Sequence, residues 1–265
     1  MAKRQLKGGA AISVPGLAAS AVFVLLVFSV IPSWWASDSR DDPFPAAAYA
    51  EMWMGNPIIL LFQLAVVVPY ALRFGIFLRN RFITYTRVRC SLRRYLGRHF
   101  AVNAVIAFII FFAVGIIPNL WVVFGGFSFN PGAYFLLTPQ EIAQAEAAWT
   151  TFSQFTVYGP WAFPVVFSLW LGVNAVLYSS ITLCLIMLMK NQIIPLVLPW
   201  LASLVLSFGF AVFGLEAFSP GLLFPFNLTQ LPMENLLYPL GLVATAAAVL
   251  VAYVLYNAPK LHNFQ

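Results

Sequence analysis

The sequence predicts an all-α, polytopic integral membrane protein: six transmembrane helices, with a cytoplasmic amphipathic helix between spans two and three. Three observations predict it. Only 8% of the residues are charged while 62% are hydrophobic, and mean hydropathy is +0.89. A soluble domain carries about 25% charged residues, so most of this surface must face lipid or other helices. Six apolar runs each approach the roughly 20 residues that a helix needs to cross a bilayer. The charges then sort by side once those six runs are drawn.

Taken in order, the predicted spans are Pro15–Trp34, Pro57–Leu78, Phe100–Phe124, Tyr158–Met189, Ile193–Leu215 and Leu236–Tyr256, in one domain covering 1–265. The first has features of a signal peptide: Lys3, Arg4 and Lys7, an apolar core, and "WAS" before Asp38. Its apolar run is long for a signal core, so an uncleaved span is expected, and either reading orients the chain the same way. Pro69 should kink the second span. The fourth is long enough to tilt or to extend into the interface. Pro195 and Pro199 sit near the start of the fifth.

Six spans divide the connections between two faces. One face gathers Lys3, Arg4, Lys7, Arg79, Arg81, Arg87, Arg89, Arg93, Arg94, Arg98, Lys190 and Lys260, and no acid. The other holds Asp38, Asp41, Asp42, Glu51, Glu141, Glu146, Glu216 and Glu234, with Arg40 its one base. Arg73, near the end of span two, can snorkel toward the basic face. Positive loops stay inside, so both termini are expected in the cytoplasm. Trp34, Trp35, Trp53, Trp149 and Trp161 would form the outer aromatic belt.

The stretch from Arg73 to His99 holds eight of the fourteen basic residues and no acid. At 100° per residue, Tyr85, Val88, Leu92, Tyr95, Leu96 and His99 share one stripe, and Arg87, Arg89, Arg93, Arg94 and Arg98 cover the rest. An amphipathic helix over about 79–98 at the cytoplasmic interface follows. Its arginines suit topology and anionic lipid heads, but topology alone needs only one or two bases. A docking helix for a cytoplasmic partner explains the excess. Nucleic acid is not expected, since no reading module accompanies the charge.

With that segment, "YTRVRCSLRRYLGRHF", the chain resembles the permease subunits of type-2 ABC exporters, in particular bacterial ones linked to antimicrobial peptides and drugs. The six-span layout with both ends inside resembles that family across the chain; the motif is confined to the quoted stretch. The resemblance implies a coupling helix that docks on a separate nucleotide-binding ATPase, with Arg87, Arg89, Ser91, Arg93, Arg94, Tyr95 and Arg98 as docking residues. It also implies a second permease subunit, identical or related. ATP and magnesium are expected on the partner ATPase, with no cofactor in this chain. The chain departs from the family in its short segment before span one and in its substantial outer segment between spans three and four.

On the outer face, Thr138 and Glu141 form a capping box with Pro139 at the first helical position, predicting a helix over about 139–152. Ile142, Ala145, Trp149 and Phe152 give it one apolar stripe, suited to sealing the bundle or gating its outer end. The apolar stretch 216–235 is broken by Pro220, Gly221, Pro225 and Pro232. It cannot span and is expected to be a partly inserted hairpin whose backbone groups are satisfied inside protein.

Enzyme chemistry has no visible carrier. GxxxxGK[ST], HExxH and GxSxG do not occur in the sequence. Cys90 and Cys184 form no CxxC pair, and His99 and His262 have no metal-ligand spacing. No charge lies deep in a predicted span, which argues against ion-coupled transport. The few polar residues in the spans include Gln63, Asn103, Asn174, Ser168, Ser179, Ser180, Thr182 and Ser203. Helix–helix hydrogen bonding is their expected role, while Gln63, Asn103 and Asn174 are also candidates for lining a substrate path. The expectation is a non-catalytic permease subunit in a bacterial plasma membrane, moving an amphipathic or hydrophobic substrate. The competing readings are a non-transporting assembly or anchoring subunit, a lipid-modifying enzyme with a hidden site, and a channel.

Overall fold

The computed structural model describes residues 58–79, 91–125, 151–158, 161–189, 191, 193–224 and 232–258. The expected first span over 15–34, and the expected outer helix up to residue 150, lie outside the described residues. Among the described residues six α-helices follow one another: α1 (Ile58–Val67), α2 (Ala71–Arg79), α3 (Leu92–Gly125), α4 (Ala162–Leu188), α5 (Ile194–Val212) and α6 (Met233–Asn257). Short 3-10 turns occupy Ser153–Tyr158, Glu216–Phe218 and Pro220–Leu223. No strand occurs among the described residues.

Four of these helices, α3 to α6, are long and apolar enough to cross a membrane. They correspond to expected spans three to six. Expected span two is instead two helices, α1 and α2, interrupted at Val68–Tyr70. The cause is Pro69. In an unbroken helix the Ala65 carbonyl would accept from the residue-69 N–H, which proline lacks. The Val68 N–H takes that carbonyl at 3.2 Å in a tightened turn, and a new helix starts when the Phe74 N–H meets the Tyr70 carbonyl at 3.0 Å.

The ends of the other helices also have local causes. α5 stops at Val212 rather than running to Leu215 because Gly214 adopts φ 69°. The Leu215 N–H then reaches back to the Phe210 carbonyl at 2.8 Å, and the Gly214 N–H to Ala211 at 3.3 Å. This is the glycine-dependent cap that satisfies carbonyls left over at a helix C-terminus. α4 begins at Ala162 rather than Tyr158, because Ser153–Tyr158 is a 3-10 turn. Before it, Phe152 sits at φ 76°, a conformation that costs a non-glycine residue about 1–3 kcal/mol. Its ring is buried and lies 5.3 Å from that of Trp170.

α4 is the centre of the bundle. Its most apolar window is 67% buried, against 17–33% for α3, α5 and α6. It packs most extensively on α3 and also touches α1, α2, α5 and α6. Two glycines close the α3–α4 seam. A methyl group added at Gly115 would lie 2.7 Å from Ser168 Oγ and 3.0 Å from its Cα. One added at Gly172 would lie 2.8 Å from the Phe108 ring. Two apolar clusters stack along α4. One is built around Phe111, Phe167 and Leu171, the other around Leu96, Leu183 and Met187. Outward, α5 presents apolar side chains such as Phe208 and Val205, a surface suited to lipid.

The segment after α5 packs against the bundle at two points while Glu216, Phe218 and Gly221 stay exposed. Pro220 and Leu223 are buried, and the Leu223 carbonyl accepts from Trp170 Nε1 at 2.7 Å. The Gly221 N–H donates to Ser207 Oγ at 3.0 Å. Side chains of α4 and α5 therefore satisfy backbone groups of this segment.

The seam makes a direct prediction. Gly115→Ala should lower the unfolding free energy in detergent by about 1–3 kcal/mol, the usual range for overpacking. Gly209→Ala, where a methyl group meets nothing within 4 Å, should be neutral or stabilising. Unfolding midpoints of the two variants check this.

Candidate functional site

The basic end of α3 is built from its first two turns. The Tyr95 N–H closes on the Ser91 carbonyl at 3.1 Å. Leu96 is fully buried, while Leu92, Tyr95 and His99 are half-buried and Arg93, Arg94 and Arg98 are exposed. The expected stripe is therefore present over Leu92–His99; Tyr85, Arg87, Val88 and Arg89 lie outside the described residues.

One expectation needs correction for residues 92–98. They do not form a separate helix lying along the interface. They are the start of a continuous 34-residue helix that runs on through expected span three. Leucine, arginine and tyrosine all continue a helix, and no proline occurs between Leu92 and Phe100. At 1.5 Å per residue α3 is about 51 Å long, well beyond the roughly 30 Å hydrocarbon layer.

The arginines grouped as docking residues have different surroundings. Arg93 Nη2 donates to the Tyr256 carbonyl at 3.3 Å, and its guanidinium lies 5.8 Å from the centroid of the Tyr256 ring. It therefore meets the C-terminal turn of α6, where carbonyls lack intrahelical partners and the helix dipole is negative. Arg94 and Arg98 remain at the surface, and Ser91 is exposed beside them.

A second feature at this end was not visible in the sequence. The break at Pro69 carries Tyr70 toward the start of α3, where its hydroxyl is hydrogen-bonded to His99 Nδ1. The His99 ring is boxed by Tyr95, with centroids 4.4 Å apart, and by Phe74 at 4.9 Å. Tyr70, Arg73, Phe74 and His99 line a half-open cavity of about 240 Å³. Arg73 shares that cavity with Tyr70, and Arg98 precedes His99 at the surface.

The three candidate path residues are buried, each in a different contact. Gln63 Nε2 donates to Ser203 Oγ at 2.9 Å, joining α1 to α5 across 140 residues. The Tyr178 hydroxyl sits beside this pair without a well-formed hydrogen bond. Asn103 Nδ2 donates to Ser179 Oγ at 2.9 Å, joining α3 to α4, and the Ser179 hydroxyl donates to the Val176 carbonyl at 3.1 Å. Asn174 Nδ2 bonds the Trp170 carbonyl within α4. Asn103 Oδ1 and Asn174 Oδ1 are buried without a partner. Gln63 and Asn103 thus work as interhelical ties, and Asn174 as an intrahelical one.

Among the described residues no cluster of His, Cys, Asp or Glu could hold a metal ion, and Cys184 is a buried thiol. Comparison with known protein families, curated proteins and solved structures gives no match in any of the three.

The Asn103–Ser179 tie can be measured. Asn103→Ala and Ser179→Ala should each lower stability. Their double-mutant cycle should return a coupling of about 0.6 kcal/mol, with about 1.7 kcal/mol as the upper end for such bonds in membrane bundles.

Proposed function

We propose that the chain is the transmembrane permease subunit of an ATP-driven exporter of the ABC type. In this reading it has six spans, with both termini in the cytoplasm of a bacterial plasma membrane. A separate nucleotide-binding ATPase supplies the energy, and a second permease subunit, identical or related, completes the path. The substrate is amphipathic or hydrophobic: a peptide, an antibiotic or a lipid-like molecule. The chain itself carries out no catalysis.

The observation that supports this reading best is the form of α3. One unbroken helix runs from the exposed Arg94 and Arg98 to Gly115 at the seam with α4. A partner that grips the arginines and moves would displace a rigid rod. The displacement would pass to α4 through side chains too tightly packed to absorb it, and α4 touches every other described helix. Arg93 would draw the end of α6 along through Tyr256. Arg87 and Arg89 would extend the grip beyond the described residues.

The test is purification of the tagged protein from its native membrane with its companions. A nucleotide-binding subunit should copurify. With Arg89, Arg94 and Arg98 changed to alanine its yield should fall about tenfold or more, the usual scale for losing charged partners at an interface, while the permease still inserts. Arg93 is kept in this variant because it also holds α6. If well-folded native protein brings no ATPase, the chain is a non-transporting membrane component and the exporter reading fails.

A further inference from the structure

We propose that the cavity bounded by Tyr70, Arg73, Phe74 and His99 holds the phosphate of an anionic phospholipid, with an acyl chain laid along α3 below Arg98. This site does not rest on the exporter reading; it requires only that the helices span a bilayer.

The first reason is charge. No Asp or Glu occurs anywhere between Glu51 and Glu141, between Glu146 and Glu216, or after Glu234. α1 to α5 therefore contain no acid, and α6 contains only Glu234, at the end opposite Tyr256. Arg73 and Arg98 have no carboxylate partner at their end of the bundle among the described residues, so an anion from outside these helices meets no competing carboxylate. A guanidinium presents a planar fork of N–H donors that fits phosphate oxygens.

The second reason is shape and chemistry. The cavity is small, about 240 Å³, and combines one cation and a hydroxyl with an aromatic wall from Phe74. Its volume suits a headgroup phosphate and the adjoining glycerol better than a whole drug-sized ligand, whose pockets usually exceed about 300 Å³. The Tyr70–His99 bond and the Tyr95 ring hold the imidazole in place, so the wall facing the anion is rigid before it binds.

The third reason is an exposed lane on α3 that begins at Arg98, the residue before the cavity-lining His99. Arg98, Val102, Val105 and Ile109 are spaced i, i+4, i+7 and i+11, and at 100° per residue they fall within one narrow sector of α3. All four are exposed, with Val105 at 57% and Ile109 at 59%. A cation at the head of an apolar lane matches a phospholipid: its phosphate meets Arg98 and Arg73, and its chain lies over the valines and the isoleucine. A free phosphate ion would use neither the lane nor Phe74. Basic pockets between helices at the membrane surface are suited to such headgroups.

The experiment uses the full chain in mild detergent, titrated with dioleoyl phosphatidylglycerol and separately with dioleoyl phosphatidylcholine. Native mass spectrometry counts the bound lipid. The anionic lipid should be preferred about fivefold, the scale for one basic residue near an anionic headgroup. Arg73→Gln should abolish that preference, Arg73→Lys should keep part of it, and Lys3→Gln, with the same loss of charge elsewhere, should keep it whole. Arg98→Gln, at an exposed position, serves as the second variant should Arg73→Gln not fold. Equal binding of the two lipids by the unaltered protein overturns the proposal. So does a wild-type preference in both Arg73→Gln and Arg98→Gln. If millimolar inorganic phosphate displaces the phosphatidylglycerol, the cavity takes free phosphate and the lipid assignment is wrong.

Discussion

The close seam between α3 and α4 is the contact on which the bundle is organised. In lipid, apolar side chains gain little by leaving the solvent for one another, so helices associate through van der Waals packing and hydrogen bonds. Gly115 and Gly172 supply the packing by letting the two helices approach until Ser168 and Phe108 fill the space of a side chain. Ser168 can stand there because its hydroxyl is satisfied by the Pro164 carbonyl at 2.7 Å in its own helix. Asn103 and Ser179 add a directional tie to the same pair of helices. The remaining helices are arranged around α4, which explains why it is the most buried and α5 the least.

Charge imposes a second order on top of packing. Arginines crowd one end of the helices with no acid among them, so their mutual repulsion must be relieved by dipoles, lipids or partners. The structure distributes these roles. Arg93 meets the carbonyl end of α6, Arg73 borders a cavity with an aromatic wall, and Arg94 and Arg98 stay at the surface. A segment that reads as one block of positive charge is thus divided by three-dimensional neighbours. Arg73, Arg93, Arg94 and Arg98 are all exposed, but Arg93 is already engaged by α6.

How far this was legible in the sequence depends on the distance between cause and effect. The Pro69 interruption and the spans matching α3 to α6 follow from local chemistry, and sequence reading located them to within several residues. The start of α3 was harder. A change from charged to apolar composition at Phe100 looked like a boundary, yet backbone hydrogen bonding is indifferent to that change when every residue favours helix. Gln63, Asn103, Ser179 and Ser203 stood out as polar residues in apolar surroundings, but their pairing across as many as 140 positions left no trace in spacing. His99 looked isolated because Tyr70 lies 29 residues earlier, beyond a turn whose direction no pattern reveals.

The placement of α1 bears on how the chain is made. Its main packing partners are α4 and α5, both encoded more than a hundred residues downstream. Ser203, which receives the Gln63 amide, is synthesised far later than Gln63 itself. If the chain folds as it is made, the Gln63 amide meets Ser203 only after α5 has been synthesised. The α3–α4 pair can zip together as soon as α4 appears, being neighbours in synthesis. Assembly of the bundle would thus proceed from its middle outward, with the earliest described helix among the last to find its seat.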